Sequence, residues 1–516
     1  MKVLETLACA TALLPLAAAD WQFKTRTDLA PPRLNITIPA TIDVEKGFLF
    51  VAPFPGQFVD PEHHGPRQEG PYIFRDDGEL VWSGYTYYSI WAANFHKGQW
   101  KGQDVLYSFE GDHNPAYGHG HGHATILNNR YETIRELRAG NHKFMDKHEL
   151  QVIDGRTALI QVYQPVPTDL SRWGGSAEQQ WIVDAIFQEL DIETGELLFE
   201  WSSLEHVSPD EAVLPLNPGQ AGAGWNSSDA WDYFHINSVD KDAAGDYLIS
   251  ARDACAVHKI DGATGEVIWR LGGLKSDFEL EVISLFDNSA HGTENHRGHE
   301  VHTHPISQGK IISVNTATWT ADIIQAFQPP DDLLAKSQGS TQLLPNGNAL
   351  VNWGSEGAMT EFTSDGTPIF HAYMDSDLLG EGVQNYRAFR FNWTGLPTEE
   401  PAIVAHKTPS GTAVYVSWNG DTETVVWRFY AVTDNYGSRS FLGEAERSGF
   451  ETSLLLAVRG FTHVAAEAIS GQGRVLRTTQ VTRVQDQVLP PGAPSAGAVV
   501  LASADRWQMK PIVFQA

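Results

Sequence analysis

Cysteine is almost missing from this chain. Its 516 residues hold two, Cys9 and Cys255. Cys9 falls in an N-terminal segment expected to be removed, which leaves one thiol and no intrachain disulfide. The fold therefore has to rest on a packed core. Cys255 sits in a strand-type run and reads as a buried small hydrophobe rather than a nucleophile. Basic residues are also scarce, 36 against 64 acidic, for a formal net charge of −28. That excludes nucleic acid as a partner, because such binding needs a basic footprint. Docking on anionic membranes is excluded for the same reason. After Ala19 no apolar run approaches the roughly 18 residues that span a bilayer, so no membrane span is expected. There is no GxxxxGK(S/T) phosphate loop, no helix-opening GxGxxG, no GxSxG and no HExxH. Nucleotide-dependent phosphoryl or sulfuryl transfer has no visible donor site, and no cofactor is expected. Helical periodicity is weak throughout, which argues against a parallel αβ fold.

Aromatic residues, by contrast, are plentiful, with 16 Trp, 24 Phe and 15 Tyr. Met1 to Ala19 places one Lys before the apolar run Leu7 to Leu16, and Ala17-x-Ala19 precedes Asp20. This reads as a secretory signal peptide cut after Ala19. The mature chain is then secreted or lumenal, and the sequons at Asn35, Asn226 and Asn392 become glycosylation candidates.

Two hairpin types alternate along the chain. One has a DGE- or TGE-like turn before an apolar-aromatic strand: Phe74 to Trp82, Asp191 to Trp201, Lys259 to Trp269 and Phe362 to Tyr373. The other has a Gly turn before a Leu/Ile/Val-rich strand: Val152 to Val162, Asp242 to Ser250, Ser307 to Val314 and Leu344 to Trp353. Gly245 and Gly265 lie about one hairpin apart, as do Gly347 and Gly366. Paired hairpins of this spacing predict four-stranded propeller blades of about 40 to 50 residues. Pro397 to Pro401 marks a boundary. The short alternating runs beyond it predict a small β-sandwich of immunoglobulin or fibronectin III type. The expected division is a signal peptide over 1–19, a propeller over 20–397, a sandwich over 398–487 and a tail over 488–516.

Histidine is clustered. In Gly118-His-Gly-His-Gly-His123, alternation along a strand would turn His119, His121 and His123 to one face, where a ligand or a metal could bind. A flexible surface run explains the same pattern, and no metal is expected. His291, His296, His299, His302 and His304 read as an exposed polar loop. His148, followed by Glu149 and an apolar strand, either faces a funnel or makes a structural hydrogen bond.

The stretch Asp229 to Gly273 combines these features. The aromatics Trp231, Tyr233 and Phe234 surround His235, strand-type runs follow, and Arg252 closes one of them. With GHGHGHATIL, DKHELQVIDGRTALI, SLFDN (Ser284 to Asn288) and SQGSTQLLPNGNALVNWGSEG (Ser337 to Gly357), it resembles the secreted fungal arylsulfotransferase-like (ASST) family. That family is distantly related to bacterial arylsulfate sulfotransferase. The resemblance covers roughly residues 50 to 395. It implies a six-bladed β-propeller, often with a C-terminal sandwich. It also implies PAPS-independent transfer of a sulfuryl group between phenolic compounds through a transiently sulfated histidine. His235 matches the histidine of the family's Asp-x-x-His-x-Asn-Ser element and Arg252 the arginine ending the next strand, so both are expected to be catalytic. Asn288, His148, His123 and Gln342 are the expected substrate-binding residues. One departure stands out. A Gln-His segment usually lies between the LGG…SDF element and SLFDN, yet here SDFELE runs into VISLFDN at Glu281/Val282. The histidine nucleophile of the bacterial relatives has no placeable counterpart, and Gln342 or a loop residue stands in its position. A tailoring enzyme of aromatic secondary metabolism (cyclase or isomerase type) and a non-catalytic binding protein are the alternatives.

Overall fold

The computed structural model describes residues 20–486, except 56–65, 67, 115–117, 177–179, 218, 220–221, 279–285, 295–299, 375–382, 434–437 and 458–459. The signal peptide, the Glu281/Val282 junction, Ser284, His296, His299 and the tail therefore lie outside the described residues. What is described is almost entirely β, in several antiparallel sheets. No helix among the described residues is long and apolar enough to cross a membrane.

Among the described residues from Asn35 to Phe391, six sheets of three to five strands follow one another, beside two two-stranded sheets, Pro53–Pro55 with Val383–Asn385 and Ala290–Glu294 with Glu300–His302. The first takes strands from both ends of this region, in the order Phe389–Phe391, Phe48–Val51, Tyr72–Phe74, Leu80–Ser83. The second is the meander Trp91–Trp100, Gln103–Gly111, Gly122–Leu127, Thr133–Leu137. Asp146–Ile153, Thr157–Pro167, Trp181–Asp191 and Leu197–Ser202 form the third. The fourth is Ile236–Lys241, Tyr247–Ala251, Ala256–Ile260, Val267–Gly272. Phe286–Asp287, Gln308–Asn315 and Thr320–Phe327 make the fifth. The sixth runs Ser340–Leu343, Ala349–Asn352, Ala358–Phe362, Pro368–Tyr373 and is completed by Asn35–Ile38 from the beginning of the chain.

The recurrent Gly turns explain this regularity. Gly78, Gly195, Gly265 and Gly366 of the first hairpin type have φ between 76° and 88°. Gly155, Gly245 and Gly347 of the second are also left-handed. Tight reversals there need φ > 0, which Gly supplies without a Cβ clash. Gly309 differs. It lies inside Gln308–Asn315, and a Cβ there would come within 2.8 Å of Val351 Cγ2. Its Gly reflects close packing against the sixth sheet rather than a turn.

Apolar residues on facing surfaces of consecutive sheets form the core. Phe50, Trp82, Phe95 and Leu106 join the first sheet to the second, and Phe109, Ile126, Leu150 and Ile160 join the second to the third. Phe187, Trp201, Ile249 and Tyr247 link third and fourth, Trp269, Leu271 and Ala321 fourth and fifth, and Phe286, Phe327, Val351 and Phe362 fifth and sixth. Leu49, Tyr72, Met359 and Phe370 return the sixth to the first. The clusters thus form a closed cycle. Trp201 shows how polar ends are handled: fully buried, it stacks on Phe187 and donates Nε1–H to the Gly265 carbonyl at 2.9 Å.

Beyond Pro401, Ala402–Thr408, Gly411–Ser417 and Glu451–Leu456 form one sheet, and strands within 424–483 form another. The two share a core of Val414, Val416, Trp427, Phe429 and Val464. This region abuts the first sheet. The Asn419 amide exchanges hydrogen bonds with the Ser83 backbone at 2.8 and 3.0 Å, and Tyr131 donates to the Gly420 carbonyl at 2.7 Å.

Arg390 and Glu361, both fully buried, form an ion pair at 2.8 Å between the first and sixth sheets. Removing one member of such a pair strands a charge in low dielectric. Arg390→Met is therefore expected to lower stability by about 3–5 kcal/mol, read as a drop in the urea midpoint. Adding Glu361→Gln is expected to recover part of the loss.

Candidate active site

Three consecutive sheets bring a histidine cluster together at the ends of their strands. His235 directly precedes Ile236–Lys241, the first strand of the fourth sheet. Asp232, three residues earlier, folds back on it. One carboxylate oxygen accepts the His235 backbone N–H at 3.0 Å, and the other accepts Nδ1–H at 2.5 Å. This local clamp holds His235 at φ 54°. A side chain with a Cβ adopts that conformation at a cost of roughly 1–2 kcal/mol, and such strain concentrates where a side chain has to be aimed.

The oxygen that receives His235 Nδ1 also receives His119 Nε2, at 2.8 Å. A carboxylate can only accept, so both imidazoles carry their proton toward Asp232. Hydrogen bonding thereby places a proton on each contacting nitrogen and leaves His235 Nε2 outward, with no hydrogen bond among the described residues. Burial opposes ionisation of Asp232, but His235 and His119 outweigh it and hold the carboxyl far below the usual range.

His148 lies across from His235, with ring centroids 4.9 Å apart and edge to face. It belongs to the first strand of the third sheet, Asp146–Ile153. Its Nδ1 donates to Asp146, which also accepts the His148 backbone N–H at 2.8 Å and the Gly120 N–H at 2.6 Å. Burial and the neighbouring Lys147 ammonium hold the His148 imidazole well below its ordinary pKa, so it is neutral. Burial opposes ionisation of Asp146, yet His148 and Lys147 prevail and lower its pKa. Tyr163 stacks on His119 at 4.1 Å and lies 5.3 Å from His235, the two imidazoles being 5.8 Å apart, and its hydroxyl donates to the Ile236 carbonyl. Tyr386 closes the other side of His148 at 5.4 Å.

Cations surround this cluster. Arg387 meets Glu149 through both guanidinium nitrogens, at 2.9 and 3.2 Å, and donates to the His148 and Asn237 carbonyls. It ties the first strands of the third and fourth sheets together with its charge matched. The Arg252 backbone N–H donates to the His235 carbonyl at 2.9 Å, and its guanidinium reaches the Lys336 carbonyl at 3.4 Å. Asp253 follows; burial pushes its carboxyl up, against the pull of His235 and Arg252. Lys147 is buried beside His148, with Nζ 3.2 Å from Nε2.

His235, Arg252 and His148 are thus brought together, while Asn288, Gln342 and His123 make other contacts. Asn288 donates its amide to the Ala335 and Gln338 carbonyls at 2.8 and 2.7 Å. Gln342 bonds both the N–H and the carbonyl of Arg390. Gln342→Leu is expected to lower stability by about 1–3 kcal/mol in denaturant titration, with KM for any substrate unchanged. His123 sits 3.7 Å from Glu110. The Gly-His run does not form one strand. Strand begins only at Gly122, so His119 turns inward while His121 stacks on Phe144. His302 and His304 are exposed, as are Asn35, Asn226 and Asn392.

Asp232, Asp146, Lys147, Tyr163 and Tyr386 were not anticipated. A signal for the two carboxylates existed: Asp-x-x-His and Asp-x-His both put an acceptor beside the imidazole.

His119, Asp232 and His235 are also the group that could hold a metal ion. Their ligand atoms, however, stand 2.5 and 2.8 Å apart, closer than the roughly 3.4 Å edge set by four bonds of about 2.1 Å. The spacing suits shared protons. Chemically, the cluster offers an oriented imidazole with an outward Nε2, among aromatic rings and both cationic and carboxylate side chains.

The arylsulfotransferase (ASST) family model matches residues 97–375, over half of the chain. No curated protein matches it. Solved structures are only faintly similar. A Bacteroides caccae protein of unknown function is 10% identical with TM-score 0.35, covering 66% of this chain and 98% of its own. The extracellular domain of a hybrid two-component system from B. thetaiotaomicron is 10% identical with TM-score 0.29, over 83% and 62%. A Lactobacillus plantarum protein is 11% identical with TM-score 0.27, over 80% and 100%. Likeness at that level says nothing of what this chain does.

Proposed function

Because this chain belongs to the arylsulfotransferase (ASST) family, we propose that it transfers a sulfuryl group from an aryl sulfate to a second phenol without a nucleotide donor. The observation that carries this reading is the shared Asp232 oxygen, which fixes His235 with Nε2 free. In the first half-reaction that lone pair attacks sulfur, the S–O(aryl) bond breaks, and the phenolate leaves with the bonding pair. In the second, the oxygen of the acceptor phenol attacks the sulfur of N-sulfo-His235. The S–N bond breaks, the lone pair returns to Nε2, and the phenolic proton passes to solvent or to the first phenolate. Negative charge on the three sulfuryl oxygens favours the cationic surround that Arg252 contributes to. The aromatic rings of Tyr163 and Tyr386 offer faces for the phenols.

The same reading takes the six sheets as blades of a six-bladed propeller, supported by their closed cycle of shared cores. It takes the two C-terminal sheets as an immunoglobulin- or fibronectin III-like sandwich from residue 398. It also makes the chain a secreted glycoprotein, consistent with the three exposed sequon asparagines. Purified full chain, 4-nitrophenyl sulfate and a phenol acceptor test the activity. Acceptor-dependent release of 4-nitrophenol together with sulfated acceptor is expected. Binding without release would transfer support to a non-catalytic role.

A further inference from the structure

Lys147 is 3% exposed, and a lysine buried to that degree ordinarily has a carboxylate partner. This one has none among the described residues. Asp146, its neighbour in sequence, is fully engaged by the His148 imidazole, the His148 N–H and the Gly120 N–H. Glu149 is engaged by Arg387 and by the Leu150 and Val239 N–H groups. The ammonium instead touches His148 Nε2 at 3.2 Å and stands 5.1 Å from the Tyr386 ring centre. Both are neutral partners, and they satisfy at most two of its three N–H donors.

The other groups that face Lys147 come from several elements. They are Asp146 and His148 on its own strand, Arg252 beyond the second strand of the fourth sheet, Arg387 and Tyr386 before Phe389–Phe391, and His113 ahead of the Gly-His run. Two of these are cations. The His113 imidazole, between Phe54 and Trp91, is pushed down to about 4 by burial and then by Lys147, and so is neutral. Glu149 matches Arg387, and imidazoles hold the Asp146 and Asp232 carboxylates, so the Lys147 ammonium has no ion-pair partner of its own among the described residues.

We propose that Lys147 is an anion-binding residue of this site, its ammonium leaving His148 Nε2 to hold an oxygen of a bound sulfate group. That the anion is the sulfate ester of a phenol rests on the sulfuryl-transfer reading; that an oxyanion belongs there rests on Lys147 itself. The exchange trades a neutral acceptor for a charged one at the same donor, so that both partners of the hydrogen bond are ionised. It also uncovers the His148 lone pair next to the reacting group. Burial, chiefly, brings the ammonium down to about 8, so anion affinity is full below that pH. It falls about tenfold per pH unit above it, because the neutral amine offers no charge.

The test is calorimetric titration of the full chain with inorganic sulfate and with 4-nitrophenyl sulfate, alongside the transfer assay. Wild type is expected to bind sulfate at pH 7 and to weaken above pH 8. Lys147→Met is expected to lose at least tenfold in sulfate affinity while melting at a higher temperature, since a buried unmatched charge is gone. Lys147→Arg is expected to bind with no pH dependence between 7 and 10, since the guanidinium stays charged. Equal sulfate affinity in wild type and Lys147→Met would overturn the proposal. So would a wild-type affinity that ignores pH, which needs no variant to fold. Transfer with an unchanged KM in Lys147→Met would sink this inference and spare the proposed activity. Lys147-dependent binding of sulfate with no transfer would do the reverse.

Discussion

His235→Ala is expected to abolish sulfuryl transfer, with kcat falling by about 10³- to 10⁶-fold, as when a nucleophile is removed from a unit that acts together. The expectation follows from the free Nε2. Among the imidazoles of the cluster, His148 has Nδ1 on Asp146 and Nε2 on Lys147. His119 is tied through Nε2. His235 combines a proton directed to a carboxylate, a backbone clamped by that same carboxylate, and a second nitrogen with no hydrogen bond among the described residues. The alanine also inherits φ 54°, a strain of about 1 kcal/mol, so a loss of activity alone could reflect local rearrangement. His235→Gly removes that ambiguity, because Gly adopts φ > 0 freely. Its melting temperature is expected to match wild type, with activity equally lost. Added imidazole is expected to restore part of the 4-nitrophenol release in the Gly variant by entering the vacated space as a nucleophile. Wild-type-like turnover in either variant would rule out His235 as the attacking group.

Asp232→Asn is expected to cost about 10²- to 10⁴-fold in kcat, the range seen when an orienting carboxylate becomes an amide, with KM little changed. The substitution is nearly isosteric, so the effect is one of hydrogen-bond sense. One oxygen of Asp232 serves two imidazoles and the other serves the His235 backbone N–H. An amide can reproduce only one of these arrangements. With its oxygen toward the imidazoles, its NH₂ confronts the His235 N–H, donor against donor, and releases the turn that aims the ring. With its NH₂ toward the imidazoles, both rings have to accept. His235 then carries its proton on Nε2 and has no lone pair for sulfur. Nitrogen chemical shifts of His235 in the free variant report which arrangement is adopted. Unimpaired transfer would show that the shared oxygen does not orient a nucleophile.

The sheets were legible from the sequence because each hairpin carries its own punctuation. Left-handed Gly at positions such as Gly78, Gly195 and Gly265 divides the chain locally, and an all-β architecture follows. The pairing of Asn35–Ile38 with Pro368–Tyr373, and of Phe48–Val51 with Phe389–Phe391, had no local signal, since the partners are more than 300 residues apart. The site divides in the same way. His235 and Arg252 were legible through a motif and a strand end. His119 was not singled out, because in a Gly-His run nothing distinguishes the ring that turns inward from the ones that face solvent. Lys147 was hidden by a sound prior, that lysines are exposed. Gln342 and Asn288 looked like ligand groups because an amide suits substrate and backbone equally well, and in the fold both amides hold backbone.

The first sheet has a kinetic consequence. One of its strands, Phe48–Val51, is made some 340 residues before its partner, Phe389–Phe391. Until that segment leaves the ribosome, the edge of Phe48–Val51 stays unpaired and the ring open. Joining the ends then carries the closure entropy of a very long loop. Tyr386 and Arg387 arrive with the closing strand, so the surround of the histidine cluster is completed in the same late event. Throughout that interval a nascent chain would present an apolar sheet edge. The step that hides that edge is also the one that makes the site.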